Sequence, residues 1–155
     1  MKNYQKLIIS VLIPLSVGFL GSFFTSSSVE SWYLTLNKPE FNPPNWLFAP
    51  VWTFLFILMG VSFYLVWKID FGGKRNSLIG IYSFQLSLNL LWSLLFFGIR
   101  NPFFALVEII FLWFAIMMNV LVFYKASKNS GLLLIPYLMW VSFASVLNYF
   151  VVILN

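Results

Sequence analysis

The chain has 155 residues, of which 61% are hydrophobic, 21% are aromatic and only 8% are charged. Soluble globular chains carry about 25% charged residues, so this chain has too few charges to cover the surface of a soluble domain and is interpreted as an integral membrane protein. The lack of Cys and His excludes disulfides, haem ligation by these residues and typical zinc sites. The net charge is +5, but the basic residues are scattered along the chain and do not form the patch that is typical of a nucleic-acid-binding protein.

Five apolar runs are long enough to cross a hydrocarbon core, which takes about 20 helical residues. They cover residues 7–24, 47–67, 78–98, 103–124 and 132–154. We therefore predict an all-α membrane protein, in which residues 1–155 form a single domain built as a bundle of five transmembrane helices. A cleaved signal peptide is the alternative for the first run, but the run is long for that role and no A-x-A site follows it.

The first connector, residues 25–46, is the only long one and contains "WYLTLNKPEFNPPNW". Its prolines 39, 43 and 44 restrict the backbone, so the connector loses little entropy when it closes over another surface. Trp32, Tyr33, Phe41 and Trp46 add apolar rings at the membrane boundary. We predict that this connector is a structured lid.

The second run carries an aromatic stripe at helical spacing, made by Trp52, Phe56, Met59 and Phe63. Such a stripe is more often a packing or lipid-facing surface than the wall of a ligand site.

The third run has two different faces. Gln85, Asn89 and Trp92 form a polar and aromatic face, whereas a nearly opposite face is made of Gly80, Ser83 and Ser87. Small residues allow helices or subunits to approach closely. The amides of the first face either form hydrogen bonds between helices or line a cavity, and the sequence favours neither alternative.

The fourth run contains Glu108, the only acidic residue well inside a span. An intramembrane carboxyl is costly unless it finds a partner. Glu108 either bonds to a neighbouring helix or interfacial water, or it has a direct ligand or proton role.

The fifth run places Trp140, Ala144 and Leu147 on one face, together with Phe143 and beside Asn148. Pro136 lies one turn before Trp140 and is expected to kink the helix there.

The basic residues predict the orientation of the chain by the positive-inside rule. One side holds seven of them, Lys2, Lys6, Lys68, Lys74, Arg75, Lys125 and Lys128, against Lys38 and Arg100 on the other side. We predict a cytoplasmic N-terminus, with the first connector and the C-terminus on the opposite side of the membrane.

These residues do not assemble a nucleophile–base pair, a phosphate loop, paired carboxylates or a metal cluster. What remains is a cavity with flat aromatic walls, a few amides and an aromatic lid. Such a cavity suits a large planar apolar ligand held by stacking and by area burial.

Three long segments resemble the translocator protein family, also called tryptophan-rich sensory proteins or peripheral-type benzodiazepine receptors. They are "WYLTLNKPEFNPPNWLFAPVWTFLFILMGVSFYLVW", "QLSLNLLWSLLFFGIRNPFFALVEIIFLW" and "LLLIPYLMWVSFASVLNY". The resemblance runs from about Gly18 to the C-terminus and is that of a prokaryotic-type member.

The resemblance implies a homodimeric five-helix bundle that binds porphyrins, such as protoporphyrin IX or a haem-type tetrapyrrole, and drug-like hydrophobic ligands. No cofactor is expected to be required, and no nucleic acid is expected to bind. Besides the ligand and the second subunit, the expected partner is membrane lipid. The ligand-binding positions implied by the resemblance are Tyr33, Trp52, Phe56, Asn89, Trp92, Trp140, Ala144 and Leu147. The lid residues are Trp32, Lys38, Pro39, Pro43 and Pro44.

Three functions remain open from the sequence: a sensor or regulator that binds tetrapyrroles, a transporter of lipophilic molecules, and light- or oxygen-dependent breakdown of porphyrin with Trp52 or Trp140 as the redox-active partner. Catalytic residues are otherwise not expected. Sterol binding after the fifth helix is in doubt, because Tyr149 is followed by "FVVILN" without a basic residue.

Overall fold

The computed structural model describes residues 1–69 and 73–155. In chain order its helices are α1 (Asn3–Val29), α2 (Trp32–Thr35), α3 (Phe48–Trp67), α4 (Arg75–Ser93), α5 (Pro102–Ala126), α6 (Lys128–Leu133) and α7 (Ile135–Leu154). A 3-10 turn at Asn45–Leu47 leads into α3, and a π-helical stretch at Leu94–Gly98 extends α4.

Five helical segments are long and apolar enough to cross a membrane. They are Asn3–Val29, Asn45–Trp67, Arg75–Gly98, Pro102–Ala126 and Lys128–Leu154. This confirms the prediction of an all-α protein with five membrane-spanning helices. Each segment extends beyond the apolar run that predicted it, because a helix continues through polar residues as long as their backbone groups remain bonded.

The first connector is shorter than the sequence indicates. The α1 helix continues past Phe24 to Val29, and hydroxyl groups in this part bond to carbonyl groups instead of ending the helix, as Thr25 does with Gly21 at 3.1 Å. What lies between α1 and α3 is the short α2 helix, an extended stretch with the prolines, and the 3-10 turn.

The fifth span is divided near its start. The α6 helix ends at Leu133, and α7 begins at Ile135 with Pro136 in its first turn. Proline is tolerated there because its missing N–H would have no partner in the first turn of a helix. The predicted distortion therefore takes the form of a break just before Pro136.

The α1 helix packs closely on α3. A Cβ atom added to Gly60 would lie 2.5 Å from the Cα of Val11, so these two backbones touch at a point where only glycine fits. The α5 helix contacts α4 and α7, while α6 lies against α3 and α5.

The hydrophobic core fills the half of the bundle that is distant from the first connector. Tyr82 stacks between Phe63, with ring centroids 4.6 Å apart, and Phe123, at 5.9 Å. In the same half, the Ser62 hydroxyl lies 2.9 Å from that of Ser130 and joins α3 to α6. Because this half is filled by side chains, the open space in the bundle is left near the connector.

Candidate ligand-binding cavity

A cavity of about 550 Å³ lies in the half of the bundle next to the first connector. Its wall is formed by the C-terminal half of α1, the N-terminal half of α3, the C-terminal part of α4 with its π-helical extension, and α7. Tyr33 of α2 and Asn45 of the 3-10 turn complete it from the connector. Sites for small molecules typically enclose about 300–1,000 Å³, so the space suits a ligand of substantial size.

All eight residues predicted as ligand-binding lie on the wall of this cavity. They are Tyr33, Trp52, Phe56, Asn89, Trp92, Trp140, Ala144 and Leu147. Three different helices and the connector supply them, so the fold brings together side chains that are far apart in the chain. Whether they bind a ligand remains a prediction.

The two tryptophans of α3 and α7 are held by neighbouring aromatic rings. Trp52 packs edge-to-face on Tyr137, with centroids 6.2 Å apart, and Trp140 packs edge-to-face on Phe48 at the same distance. Both indoles are only partly buried. Part of each ring is therefore available for stacking with a ligand.

The aromatic stripe of the second run divides along α3. Trp52 and Phe56 line the cavity, whereas Met59 and Phe63 are buried in the core below it. Helical periodicity places all four on one face, but it does not say where along that face the core ends.

Trp92 is fixed by a chain of hydrogen bonds that crosses three helices. Its indole N–H donates to Oδ1 of Asn148 at 3.1 Å, and Nδ2 of Asn148 donates to the carbonyl of Pro102 at 2.8 Å. The Trp92 ring also stacks on Phe96, with centroids 5.1 Å apart. This part of the wall is thus preorganised.

The amides of the third run separate into two environments. Asn89 lies on the cavity wall and donates from Nδ2 to the hydroxyl of Tyr137 at 2.8 Å. Gln85 is buried deeper, where its Nε2 faces the sulfur of Met59 at 3.9 Å, and it does not line the cavity. Asn89 therefore lines the cavity and also bonds to another helix, whereas Gln85 makes only a contact between helices.

The sequence analysis missed the contribution of α1. The cavity is also lined by Gly18, Gly21, Ser22, Thr25 and Ser26 of this helix. Their helical spacing was a usable signal, since they form a face of small and hydroxyl-bearing residues on an otherwise apolar helix. The same face packs closely on its neighbours, since a Cβ added to Gly18 would meet the ring of Phe56 and one added to Gly21 would lie 3.3 Å from the hydroxyl of Ser93.

The π-helical stretch shapes a second part of the wall that was not predicted. The N–H of Ile99 donates to the carbonyl of Leu94 at 2.7 Å, and the wider turn places both Phe96 and Phe97 on the cavity wall. The hydroxyl of Ser28 donates to the carbonyl of Phe97 at 2.7 Å and ties this turn to α1. Single π-helical turns are frequent at functional sites.

The connector is held in place by hydrogen bonds around Tyr33. The hydroxyl of Tyr33 donates to Oδ1 of Asn42 at 2.8 Å, and Nζ of Lys38 donates to the carbonyls of Tyr33 and Leu36 at 2.7 and 3.0 Å. Burial raises the pKa of the Tyr33 hydroxyl, partly offset by the bond to Asn42, and burial lowers the pKa of Lys38. Tyr33 is therefore a neutral donor at physiological pH.

Of the predicted lid residues, none lines the cavity directly. Trp32 packs edge-to-face on Phe96 with centroids 5.7 Å apart, and Lys38 lies 4.7 Å from the centroid of Tyr33. The backbone segment between Tyr33 and Asn45 contains Pro39, Pro43 and Pro44. These residues position the parts of the connector that do face the cavity.

The connector is also attached to the C-terminus of the chain. The N–H of Asn37 donates to Oδ1 of Asn155 at 2.9 Å, and Nδ2 of Asn155 donates to the carbonyl of Asn37 at 2.9 Å. Phe41 packs against Phe150 of α7, with centroids 5.4 Å apart. The first connector is thus fixed to the end of α7 by hydrogen bonds and by ring packing.

Glu108 lies outside the cavity wall. Its side chain is 5% exposed, and neither carboxylate oxygen has a hydrogen-bond partner among the described residues. Within residues 1–69 and 73–155 no cluster of acidic, His or Cys side chains is suited to a metal ion. Among the described residues, the wall of the cavity therefore offers aromatic surface, neutral polar groups and one exposed acid, Glu30.

Curated proteins from all three domains of life are similar to this chain over most of its length. The tryptophan-rich protein TspO of Archaeoglobus fulgidus is 47% identical over 153 residues, which cover 99% of each chain. The translocator protein of Homo sapiens is 39% identical over 141 residues, 89% of this chain and 83% of the human protein. The tryptophan-rich sensory protein of Cereibacter sphaeroides is 33% identical over 126 residues, 81% of this chain and 78% of that protein.

A family model agrees with these likenesses. The model described as the TspO/MBR family matches residues 10–154, which include most of the first membrane-spanning helix, the other four, and every residue of the cavity wall. The match and the extent of the identities lead to one conclusion: this chain belongs to the TspO/MBR family.

Proposed function

We propose that this protein is a membrane receptor that binds porphyrins and other hydrophobic planar molecules in the cavity beside the first connector, and that it senses or limits their level. The observation that carries the proposal is the single cavity wall shared by Trp52, Trp92, Trp140 and Tyr33. Flat rings from separate helices offer the stacking surface that a large aromatic ligand requires.

The energetics of such a site favour binding by area and shape. Burying apolar surface contributes roughly 25 cal/mol per Å², and preorganised walls reduce the entropy lost on binding. The hydrogen bonds of Trp92 and of the connector supply this preorganisation. A sensory role is further supported by the printed name of the Cereibacter sphaeroides relative, a tryptophan-rich sensory protein.

Titration of the purified protein in lipid nanodiscs with protoporphyrin IX, followed by tryptophan fluorescence, tests this proposal. We expect saturable quenching, and a large loss of affinity in Trp52→Ala and in Trp140→Ala. Trp67→Ala is the matched control, since Trp67 is also partly buried but lies outside the cavity. Unchanged affinity in both cavity variants, or an equal loss in the control, would rule out the proposed site.

A transporter of lipophilic molecules is the second candidate, favoured by the unpartnered Glu108 inside the bundle. A buried carboxyl in a span is a possible site for a coupling proton. Flux of protoporphyrin into proteoliposomes, present with the unaltered protein and absent with Glu108→Gln, would support transport. Equal binding by both proteins without any flux would leave the receptor as the better description.

We propose the same orientation that the positive-inside rule predicts, with the N-terminus in the cytoplasm. The basic residues of that side lie at the ends of the helices remote from the cavity, for example Lys6, Arg75 and Lys125. The cavity and its connector would then face away from the cytoplasm. Labelling of single cysteines introduced at Ser127 and Asn155 by a membrane-impermeant reagent tests this orientation, since only the cysteine at 155 should react from outside.

A further inference from the structure

The hydroxyl groups of the cavity wall mostly point their protons away from the cavity. The wall contains six hydroxyl-bearing side chains, Ser22, Thr25, Ser26, Tyr33, Thr53 and Ser93. A hydroxyl has one proton to donate and two lone pairs to accept with. A hydroxyl that already donates elsewhere is therefore left only as an acceptor toward a ligand.

Four of these hydroxyls are committed in this way. Ser22 donates to the carbonyl of Phe19 at 2.6 Å, and Thr25 donates to that of Gly21 at 3.1 Å. Thr53 donates to the carbonyl of Ala49 at 2.8 Å, and Tyr33 donates to Asn42. The indole N–H of Trp92 is likewise used by Asn148. These wall groups offer lone pairs. The indole N–H of Trp140 has no partner among the described residues and is a donor that the wall leaves free.

The charge on the cavity wall is negative, which also disfavours a bound carboxylate. Among residues 1–69 and 73–155, no lysine or arginine lines the cavity, whereas Glu30 at the end of α1 does. Glu30 is exposed, so it lies where the cavity meets solvent. The ammonium of Lys38 is already bound to the carbonyls of Tyr33 and Leu36 on the connector.

A carboxylate placed inside this cavity would therefore lose its hydration without gaining a cation or a full set of donors. Burial of a charge without a partner is strongly unfavourable. A ligand group that donates an N–H or O–H would instead meet oxygen lone pairs, and it would not be repelled by Glu30. The cavity is thus better matched to neutral ligands than to carboxylates.

We propose that the cavity selects neutral planar ligands over carboxylates, and that Glu30 sets this selectivity at the cavity mouth. The proposal rests on the proposed function, because it describes the ligand of the same cavity. For a dicarboxylic porphyrin it means that the ring lies inside against the aromatic walls, while the carboxylates remain outside in water.

Two forms of one porphyrin test this selectivity. Protoporphyrin IX and its dimethyl ester have the same ring, but only the free acid carries carboxylates at neutral pH. Their Kd values would be measured in phosphatidylcholine nanodiscs, with empty nanodiscs subtracted, for the unaltered protein and for Glu30→Gln, Glu30→Lys and Glu40→Gln. Glu40 is the matched control, since it is an exposed acid of the same connector that does not line the cavity.

We expect the ester to bind several-fold more tightly than the acid to the unaltered protein. Glu30→Gln should reduce this ratio by tightening the acid alone, and Glu30→Lys should reduce it further, whereas Glu40→Gln should leave it nearly unchanged. Partition of each porphyrin into lipid cancels when one ligand is compared between two variants. The effect of Glu30 should also shrink as ionic strength rises, because salt screens charges at the surface.

Two results would overturn the selectivity while leaving the proposed function intact. One is equal or tighter binding of the acid by the unaltered protein. The other is a ratio that responds to Glu40→Gln as much as to Glu30→Gln. If neither porphyrin binds, the proposed function itself fails, and this inference fails with it.

Discussion

The amide of Asn89 donates a 2.8 Å hydrogen bond to the hydroxyl of Tyr137 and thereby joins α4 to α7 beside the cavity. Tyr137 is 1% exposed, and its ring also supports Trp52 edge-to-face. One buried phenol therefore holds two residues of the cavity wall from behind. Because Tyr137 itself does not line the cavity, its effect on ligand binding is indirect.

Replacement of Tyr137 by Phe keeps the ring and removes the hydroxyl. The amide of Asn89 then loses its partner, and leaving a buried donor unsatisfied costs about 1–3 kcal/mol. We expect a lower thermal unfolding temperature and weaker ligand binding, both measured in nanodiscs. Tyr149→Phe is the control, because Tyr149 is half exposed. Equal stability of the two variants would contradict the supporting role of this hydrogen bond.

Replacement of Gly60 by Ala should destabilise the bundle where α1 meets α3. The added Cβ would lie 2.5 Å from the Cα of Val11 and 2.7 Å from the carbonyl oxygen of Ser10, both backbone atoms that cannot move aside alone. Overpacking of this kind costs about 1–3 kcal/mol. Gly80→Ala is the matched control, because a Cβ at Gly80 meets nothing within 4 Å.

Thermal unfolding in detergent measures both glycine variants. The control should be unchanged or slightly stabilised, since Ala favours a helix by about 1 kcal/mol over Gly. A tolerated Ala at position 60 would mean that α1 and α3 can separate at little cost.

The prolines of the connector are expected to strengthen ligand binding by limiting its conformations. Each replacement of Pro by Gly adds backbone freedom worth about 0.4–1 kcal/mol, so Pro43→Gly with Pro44→Gly should raise Kd by about four- to thirtyfold. Isothermal titration calorimetry separates the cause: the loss should lie in the entropy of binding. A loss confined to the enthalpy would point to altered contacts instead of altered flexibility.

How much of this site could be predicted depends on what information each sequence pattern carries about the structure. Helical spacing and the family resemblance predicted Trp52, Asn89 and Trp140 as residues of one site, and all three lie on the wall of one cavity. Spacing identifies a face but not a depth along the helix, and for that reason it could not separate Phe56, which lines the cavity, from Phe63, which lies in the core. The depth is decided by packing of the whole bundle.

Other features could not be predicted because their signals are weak or nonlocal. The small residues of α1 line the cavity and also pack closely on Phe56 and Ser93, and in sequence a face of small residues does not show which surfaces it meets. The π-helical turn at Leu94–Gly98 depends on the Ile99 N–H reaching one residue further back than in an α-helix. The two hydrogen bonds between Asn37 and Asn155 join residues that are distant in sequence, and they depend on the length of α7.

The outward face of α4 provides the last prediction, a homodimer. Gly80, Ser83 and Ser87 are exposed in the protomer, so this face carries only small side chains at these positions. The hydroxyl of Ser87 donates to the carbonyl of Ser83, and its proton therefore needs no further partner in the membrane. Small residues allow membrane helices to approach closely. We expect a dimer by light scattering in detergent, converted to a monomer by Gly80→Leu, with Gly80→Ala retaining the dimer. If Gly80→Leu leaves a dimer intact, subunit contact lies on another face of the bundle.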